Sequence, residues 1–568
     1  MEQGRKAWTR DRLSWLGTDN LPADKAEQLR LLVAELGEPE QEPFGKISWW
    51  GPSSPKTDVE FEAMPLPALG DFLRSWIPSE DGQASRAGLG RQVQAAVRSR
   101  PAEFSGAADT FIGLAPIYVH HVIWGVDEAV RLGTTFDVSG ILTLCEWMVE
   151  QPRGEEPDPP LPFRTDEKGW AGARRACASL IGTLLDRNLP PLESRGAVWK
   201  IIRELTEDPN PAPGDEREPG FEATTRSLNC IRGEAMHAVM KYGRWLWQAW
   251  EKEGDKREHS FDQLPEVREV LERRLDRSVE CTLTVRSIYG QYFPLVMYFD
   301  PAWAAGAVNA IFPDDDTDLW WGAWIPYLQF GGAYDNVFKL LRRQYGIAVN
   351  ELPEGVTGEK RDGWVEHLGS HLMVFYWRGL IGLGEDDLVA CFMRRTSPRL
   401  RKQALEFVGR SLLNTADAIP GEVLQRLKAL WESRVQAARA ASDREPYRIE
   451  LAGFGTWFLS AKFDDAWAID QLHQMTDLIE GDAINAFPLI KRLTVLAPQM
   501  PDEAVQILER LLFGPKRNWQ YVASMGEVGE ILRVALGGRN AQAAQVAVRI
   551  VDNLAERGDM TYRQLVTQ

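Results

Sequence analysis

The sequence predicts an all-α chain: a degenerate HEAT/TPR-like array of helix pairs, an α–α superhelix, with a loop-rich N-terminal segment. Three observations predict it. Apolar residues recur at helical spacing in one segment after another, each on the order of 12 to 18 residues long. Turns carrying Gly or Pro separate these segments, and no run shows sustained strand alternation. No strict period is visible, whereas tight tetratricopeptide repeats would show a signature about every 34 residues.

Residues 1–85 form the loop-rich segment. Asp24–Leu36 has apolar positions at helical spacing, and Gly37–Pro67 then carries six prolines and three glycines. Ile47-Ser48-Trp49-Trp50 leaves room there for one short strand.

Residues 86–415 form a helical region. It opens with Val93, Val97 and Phe104 and continues through Tyr118–Leu132 and Val138–Val149. Two polar linkers rich in proline and acid, Gln151–Pro162 and Glu207–Gly220, read as surface loops. Between them Ala171–Leu185 and Arg195–Leu205 make a helix pair. Ser227–Trp250 reads as a long helix, and Pro265 opens the next. Proline is tolerated in the first turn because its missing N–H has no partner to lose there. Further helices are read at Ala302–Ile311, Leu319–Gln329, Val337–Tyr345, Val365–Trp377 and Arg401–Leu413.

Residues 416–568 form the C-terminal repeats. Pro501-Asp502-Glu503 opens a helix with Val505, Leu508 and Leu512 on one face. Asn540 caps a helix bearing Ala544, Val548, Val551 and Leu554.

The chain has 568 residues, enough for about four domain-sized units or one elongated array. Its 82 acidic residues outnumber 65 basic ones, a net charge of −17. That balance argues against binding nucleic acid through phosphates, which needs a basic face, and against an anionic membrane surface. The best local exception, Arg394–Lys402, reads as a solvated helix start. No run of apolar residues is long enough to span a bilayer, and no secretory leader is visible. The five cysteines are odd in number and at least 32 residues apart, without a CxxC pair. Buried free thiols in a reducing cytoplasm fit that pattern.

Chemical motifs are scarce, and no cofactor is implied. No phosphate-cradling glycine loop occurs. His367 and His371 lie four apart on one helix, a spacing that can hold zinc, but the inner Glu of the zincin order is missing and no third ligand can be named. His120 and His121 are adjacent and point about 100° apart on a helix. Pro313–Asp318 begins like a calcium loop but lacks its glycine and its final glutamate, so the acids read as helix-start residues. The 22 tryptophans keep a sugar-processing helical fold in view, without a carboxylate pair to support it.

Three segments are dense in unusual residues. In Ser227–Trp247, Arg232 leads a helix rich in small residues. In Val285–Trp303, Arg286 precedes small and aromatic residues. An Arg within such a helix can bond loop carbonyls of a neighbouring repeat, so Arg232 and Arg286 are candidate inter-repeat anchors. In Leu319–Phe338, the residues Trp320, Trp321, Trp324, Tyr327, Phe330 and Tyr334 would cover most of a helix. Some of these must be exposed or meet a neighbouring layer, which makes Trp320, Trp321, Trp324 and Tyr334 candidate partner-binding residues.

The run Gly88-Leu89, Pro101-Ala102-Glu103-Phe104, Pro116-Ile117-Tyr118, Phe136-Asp137 and Leu144-Cys145-Glu146-Trp147 resembles the C-terminal helical regions of large bacterial STAND-type ATPases. So do LNCIRGEAMHA (Leu228–Ala238), VRSIYGQYFP (Val285–Pro294), YWRG (Tyr376–Gly379) and FVGRSL (Phe407–Leu412). The likeness covers roughly residues 86–415 and carries no catalytic signature. In that family an effector and an NTPase precede a helical sensor, and some members are antiviral sensors of a phage protein. The resemblance implies a non-catalytic cytoplasmic scaffold that recognises a protein ligand, such as a phage protein. This chain shows neither NTPase nor effector motifs, so those parts are expected in trans or on a larger protein. Two other readings stand beside it: a hydrolytic enzyme, metal-assisted at His367 and His371, and a structural assembly subunit.

Overall fold

The computed structural model describes residues 2–16, 21–38, 54–78, 84–153, 169–212, 214, 216, 221–352, 363–479, 486–513 and 525–566. Among these residues every extended regular element is a helix and no β-strand occurs. The fold is an all-α helical array. The segment Ile47–Trp50, read as room for a strand, lies outside the described residues.

The chain divides into two compact units, Met1–Cys177 and Ala178–Gln568. This division differs from sequence-based boundaries at 85/86 and 415/416. The helix Asp58–Glu62 packs on Arg86–Ser99, and Pro398–Asn414 packs on Glu445–Leu451 and Phe454–Leu459. Contacts therefore run across both expected boundaries.

In the first unit, Glu2–Leu16 and Ala23–Leu36 form an N-terminal hairpin. Arg86–Ser99 lies along Pro116–Arg131, with Val93, Val97, Val122 and Val126 fully buried. The two valines on each helix lie four residues apart, one turn along the same face, so each helix turns one apolar stripe to the other. His121 is buried in this layer, its Nδ1 2.8 Å from Gln94 Oε1. His120 is only half-buried, as the divergence of neighbouring helical positions requires. Arg174 closes the unit by donating to the Val149 carbonyl at 3.0 Å.

In the second unit, contacts repeatedly link a helix to the next but one along the chain. Arg195–Thr206 meets Ile231–Lys252, Gly363–Trp377 meets Pro398–Asn414, and Pro501–Phe513 meets Ala541–Glu556. Stacked pairs produce this pattern, because each helix packs on its equivalent in the following pair. The ends are set by local chemistry. Asp300 accepts from Trp303 N ahead of Pro301, and Ser397 accepts from Leu400 N ahead of Pro398. Asn540 caps Ala541–Glu556 by accepting from Gln542 and Ala543. Asp316 caps Thr317–Phe330, so one of the acids in Pro313–Asp318 serves as a helix-start residue. The apolar faces sit slightly off their sequence-based positions: Leu511 is buried where Leu512 is half-buried, and Ala543 and Ala547 are buried where Ala544 and Val548 are half-buried.

Two buried Arg–Glu–Arg clusters tie this unit together. Glu280 accepts from the Thr282 amide at 3.0 Å and pairs with Arg232 at 2.6 Å; Arg274 lies 3.7 Å away. Glu450 pairs with Arg401 and Arg434, both at 2.5 Å. Arg401 also donates to the carbonyls of Thr396 and Met393. Arg394–Lys402 is thus not simply a solvated basic stretch, because Arg401 is one of its buried anchors. Within the other polar linker, Glu216 accepts from the first amides of the helix Leu283–Gln291. The described part of that linker is pinned to helix starts.

Candidate functional site

An open groove of about 840 Å³ lies within the second unit. Its lining comes from the helix Ile231–Lys252 (Arg244), the following loop (His259), Gln291 and Tyr292, the short helix Phe293–Phe299, the end of Thr317–Phe330, and the start of Asp335–Asn350. In Phe293–Phe299 the residues Phe293, Val296, Met297 and Phe299 are buried, which leaves Tyr298 turned outward at 40% exposure. The Tyr298 hydroxyl donates to Glu251, and its ring meets His259 edge-on at 4.5 Å. His259 in turn lies flat on Trp247 at 4.6 Å. Its Nδ1 is 2.6 Å from the Tyr298 carbonyl, an acceptor only, so that nitrogen carries the proton.

The opposite rim depends on Gly331-Gly332. Gly332 has φ +71°, a conformation that L side chains rarely adopt, and a Cβ there would also crowd the Tyr334 ring. The turn leaves Phe330 54% exposed and Tyr334 55% exposed. Arg378 fixes the turn by donating to the Ala333 carbonyl and the Asp335 carboxylate. Among the described residues no carboxylate lines the groove, although the chain as a whole is strongly acidic.

Tyr292 connects the groove to buried polar groups. Its hydroxyl is 3.2 Å from His237 Nδ1, and His237 Nε2 is 2.8 Å from Ser227 Oγ. Ser227 already donates to the Thr224 carbonyl, so Nε2 carries the imidazole proton and Nδ1 accepts from Tyr292. Ser227 is fully buried, which gives a substrate no path to its hydroxyl.

The structure divides the aromatic candidates. Tyr334 is on the rim. Trp320 is only 4% exposed and Trp324 is fully buried, so neither can be an exposed binding anchor. Trp320 stacks on Trp324 at 5.3 Å and donates to Gln344, while Trp324 meets Tyr345 edge-on at 4.9 Å. Trp321 is half-buried between Trp320 and Trp364. The sequence run cannot reveal this, because the neighbouring helices decide which sides of Thr317–Phe330 are covered.

Arg232 and Arg286 are both buried. Arg232 donates to the carbonyls of Asp208 and Pro211, at 2.6 Å each, and pairs with Glu280. Arg286 donates to the Ala310 carbonyl at 2.6 Å. Burial without a matched acid lowers the Arg286 pKa from its usual range.

His367 and His371 do not form a shared metal site here. His367 is exposed, while His371 is buried with Nδ1 2.7 Å from the Tyr345 hydroxyl. Among the described residues, no three His, Cys, Asp or Glu side chains come together to hold a metal. Residues that sequence reasoning missed include Arg244, His259, Gln291 and Tyr298. Tyr298 carried the one readable signal, as the polar-tipped member of the apolar run Phe293–Phe299.

Three buried histidines give a pH prediction. Burial disfavours the imidazolium, holding His121 and His237 at about 3 and His371 at about 4, against 6.5 for an ordinary imidazole. Below pH 6.5 the unfolded chain therefore takes up protons that the folded chain refuses. Stability is full above that value and falls by up to about 1.4 kcal/mol per pH unit per histidine. The loss levels off once the native rings protonate near pH 3 to 4. Urea midpoints should drop between pH 7 and pH 5, and the drop should shrink by about 2 kcal/mol in His371→Gln. An unchanged drop would show that His371 is not held neutral.

No helix among the described residues is long and apolar enough to cross a membrane. No protein-family model matches this chain, and no curated protein matches it.

Proposed function

We propose that the chain is a non-catalytic helical scaffold that recognises a protein ligand, serving as the sensor part of a STAND-like antiphage system. The observation that carries this reading is the groove with exposed Tyr298, Phe330 and Tyr334 on a rigid helical framework. Apolar and aromatic side chains left exposed together mark sites of association, and tyrosine is enriched among residues that dominate binding energy. The resemblance at Val285–Pro294 supports the same assignment, since Gln291, Tyr292 and Pro294 line the groove, and Leu228–Ala238 stands behind it through the contact of His237 with Tyr292. The ligand would be a phage protein, and an NTPase or effector subunit in trans would read the bound state.

Co-purification of the tagged chain from its host, with and without phage challenge, tests this. A phage protein should appear only on challenge and should be lost with Tyr334→Ala or Phe330→Ala. Both side chains are largely exposed, so the variants should keep the wild-type helical circular dichroism. Undiminished capture by both variants would place recognition elsewhere.

A further inference from the structure

We propose that the groove also binds an uncharged oligosaccharide built of hexopyranose units. This goes beyond the recognition of a protein and does not rest on it. Charge narrows the ligand first. Arg244 is the charged side chain on the described lining, and Asp186 already pairs with it and with Lys241. At the edge, Glu251 accepts from the Tyr298 hydroxyl, and Asp335 accepts from Arg378 at 2.7 Å. A charged ligand therefore meets ions that are already engaged, and the net charge of −17 further opposes an anion.

Hydrogen bonding narrows it again. The amides of Gln291 and Asn336 each donate and accept, and so does the Tyr334 hydroxyl. The Tyr292 hydroxyl donates to His237 and can still accept, as can His259 Nε2 in the ring whose Nδ1 carries the proton. Gln291 Oε1 is buried without a hydrogen-bond partner among the described residues. The terminal amide torsion is soft, so this oxygen can swing to a ligand O–H. An apolar helix face laid on the groove would cover these groups and pair none of them, which costs affinity. A β-strand would need a sheet edge, and none exists among the described residues. Sugar hydroxyls both donate and accept, and each rotates to suit its partner. The C–H faces of a pyranose are apolar and lie flat on aromatic rings, which Tyr298, Phe330 and Tyr334 expose. The volume of about 840 Å³ lies within the usual span of ligand sites, about 300 to 1,000 Å³.

Isothermal titration calorimetry with the full chain tests the proposal. The neutral probes are maltohexaose, cellohexaose and chitohexaose. An oligogalacturonate is the charged comparison, and an alanine-rich helical peptide with leucines along one face is the peptide comparison. At least one neutral sugar should bind saturably and more tightly than either comparison. Tyr334→Ala and Phe330→Ala should each weaken it by about tenfold or more. Gln291→Leu, which keeps the side-chain size but removes the amide, should weaken it as well, with helical circular dichroism unchanged in all three variants. Binding of none of the neutral sugars, or neutral-sugar binding insensitive to all three substitutions, would overturn the proposal. Tighter binding of the helical peptide would overturn it while leaving the groove as a peptide site, and tighter binding of the oligogalacturonate would overturn the uncharged assignment. Capture of a phage protein in the challenged host is scored separately, so either reading can fail without the other.

Discussion

Replacing Glu450 with alanine should destabilise the second unit by about 3 to 5 kcal/mol, the usual result of breaking a buried ion pair from one side. Glu450 is fully buried and is the shared acid for Arg401 and Arg434. Its removal leaves two guanidinium groups in a water-poor interior without their carboxylate. The Arg401 contacts to Thr396 and Met393 carbonyls satisfy some N–H groups but supply no negative charge. The cluster also joins the helices Pro398–Asn414, Gly421–Ala440 and Glu445–Leu451, so the damage spreads across neighbouring pairs. Glu450→Gln should cost less, because the amide oxygen still accepts a hydrogen bond. Urea unfolding followed by circular dichroism measures both. A loss below about 1 kcal/mol for Glu450→Ala would place these arginines in water, contrary to the structure.

Gly290→Val should be comparably damaging, for a steric reason. The helix Leu283–Gln291 packs tightly on Thr317–Phe330, and a Cβ at Gly290 would sit 1.8 Å from the Ala323 carbonyl oxygen. That oxygen belongs to a helix backbone and cannot rotate away as a side chain would. The helices must separate, and the aromatic layer of Phe312, Trp324 and Tyr327 loosens with them. Overpacking typically costs about 1 to 3 kcal/mol, and a backbone obstacle places this case at the upper end or beyond. Gly290→Ala should show the same effect in weaker form. Wild-type thermal unfolding in Gly290→Val would contradict this packing.

Much of the array was legible because helix starts are local events. Asn540, Pro265 and Pro501 announce their helices through side-chain capping or a fixed φ, and none of these depends on distant residues. The long helix read over Ser227–Trp250 was legible for a similar reason, its apolar and small residues recurring over many turns, but it begins only at Ile231, because Ser227 ends the separate short helix Phe221–Ser227. The exposure of individual aromatics was not legible. Trp320, Trp324 and Tyr334 look alike as parts of one dense run, yet Gln344 and Tyr345 cover the first two while the Gly331-Gly332 turn carries the third into the open. The groove was equally hidden. Arg244, His259, Gln291 and Tyr298 meet only because successive helix pairs stack, and no single window of sequence contains them. The buried arginine at 401 was obscured because its acid, Glu450, lies 49 residues away.

We propose that a protein ligand occupies the groove beside Tyr334. Site-specific photocrosslinking tests it most directly. A benzophenone amino acid replaces Asn336 on the groove lining in one variant and the 72%-exposed Val495 in another. The chain is then illuminated in the phage-challenged host. One discrete adduct should form from position 336, absent from position 495 and lost when Tyr334→Ala is added. Equal adducts from both positions, or none from position 336 while ligand still co-purifies, would contradict it.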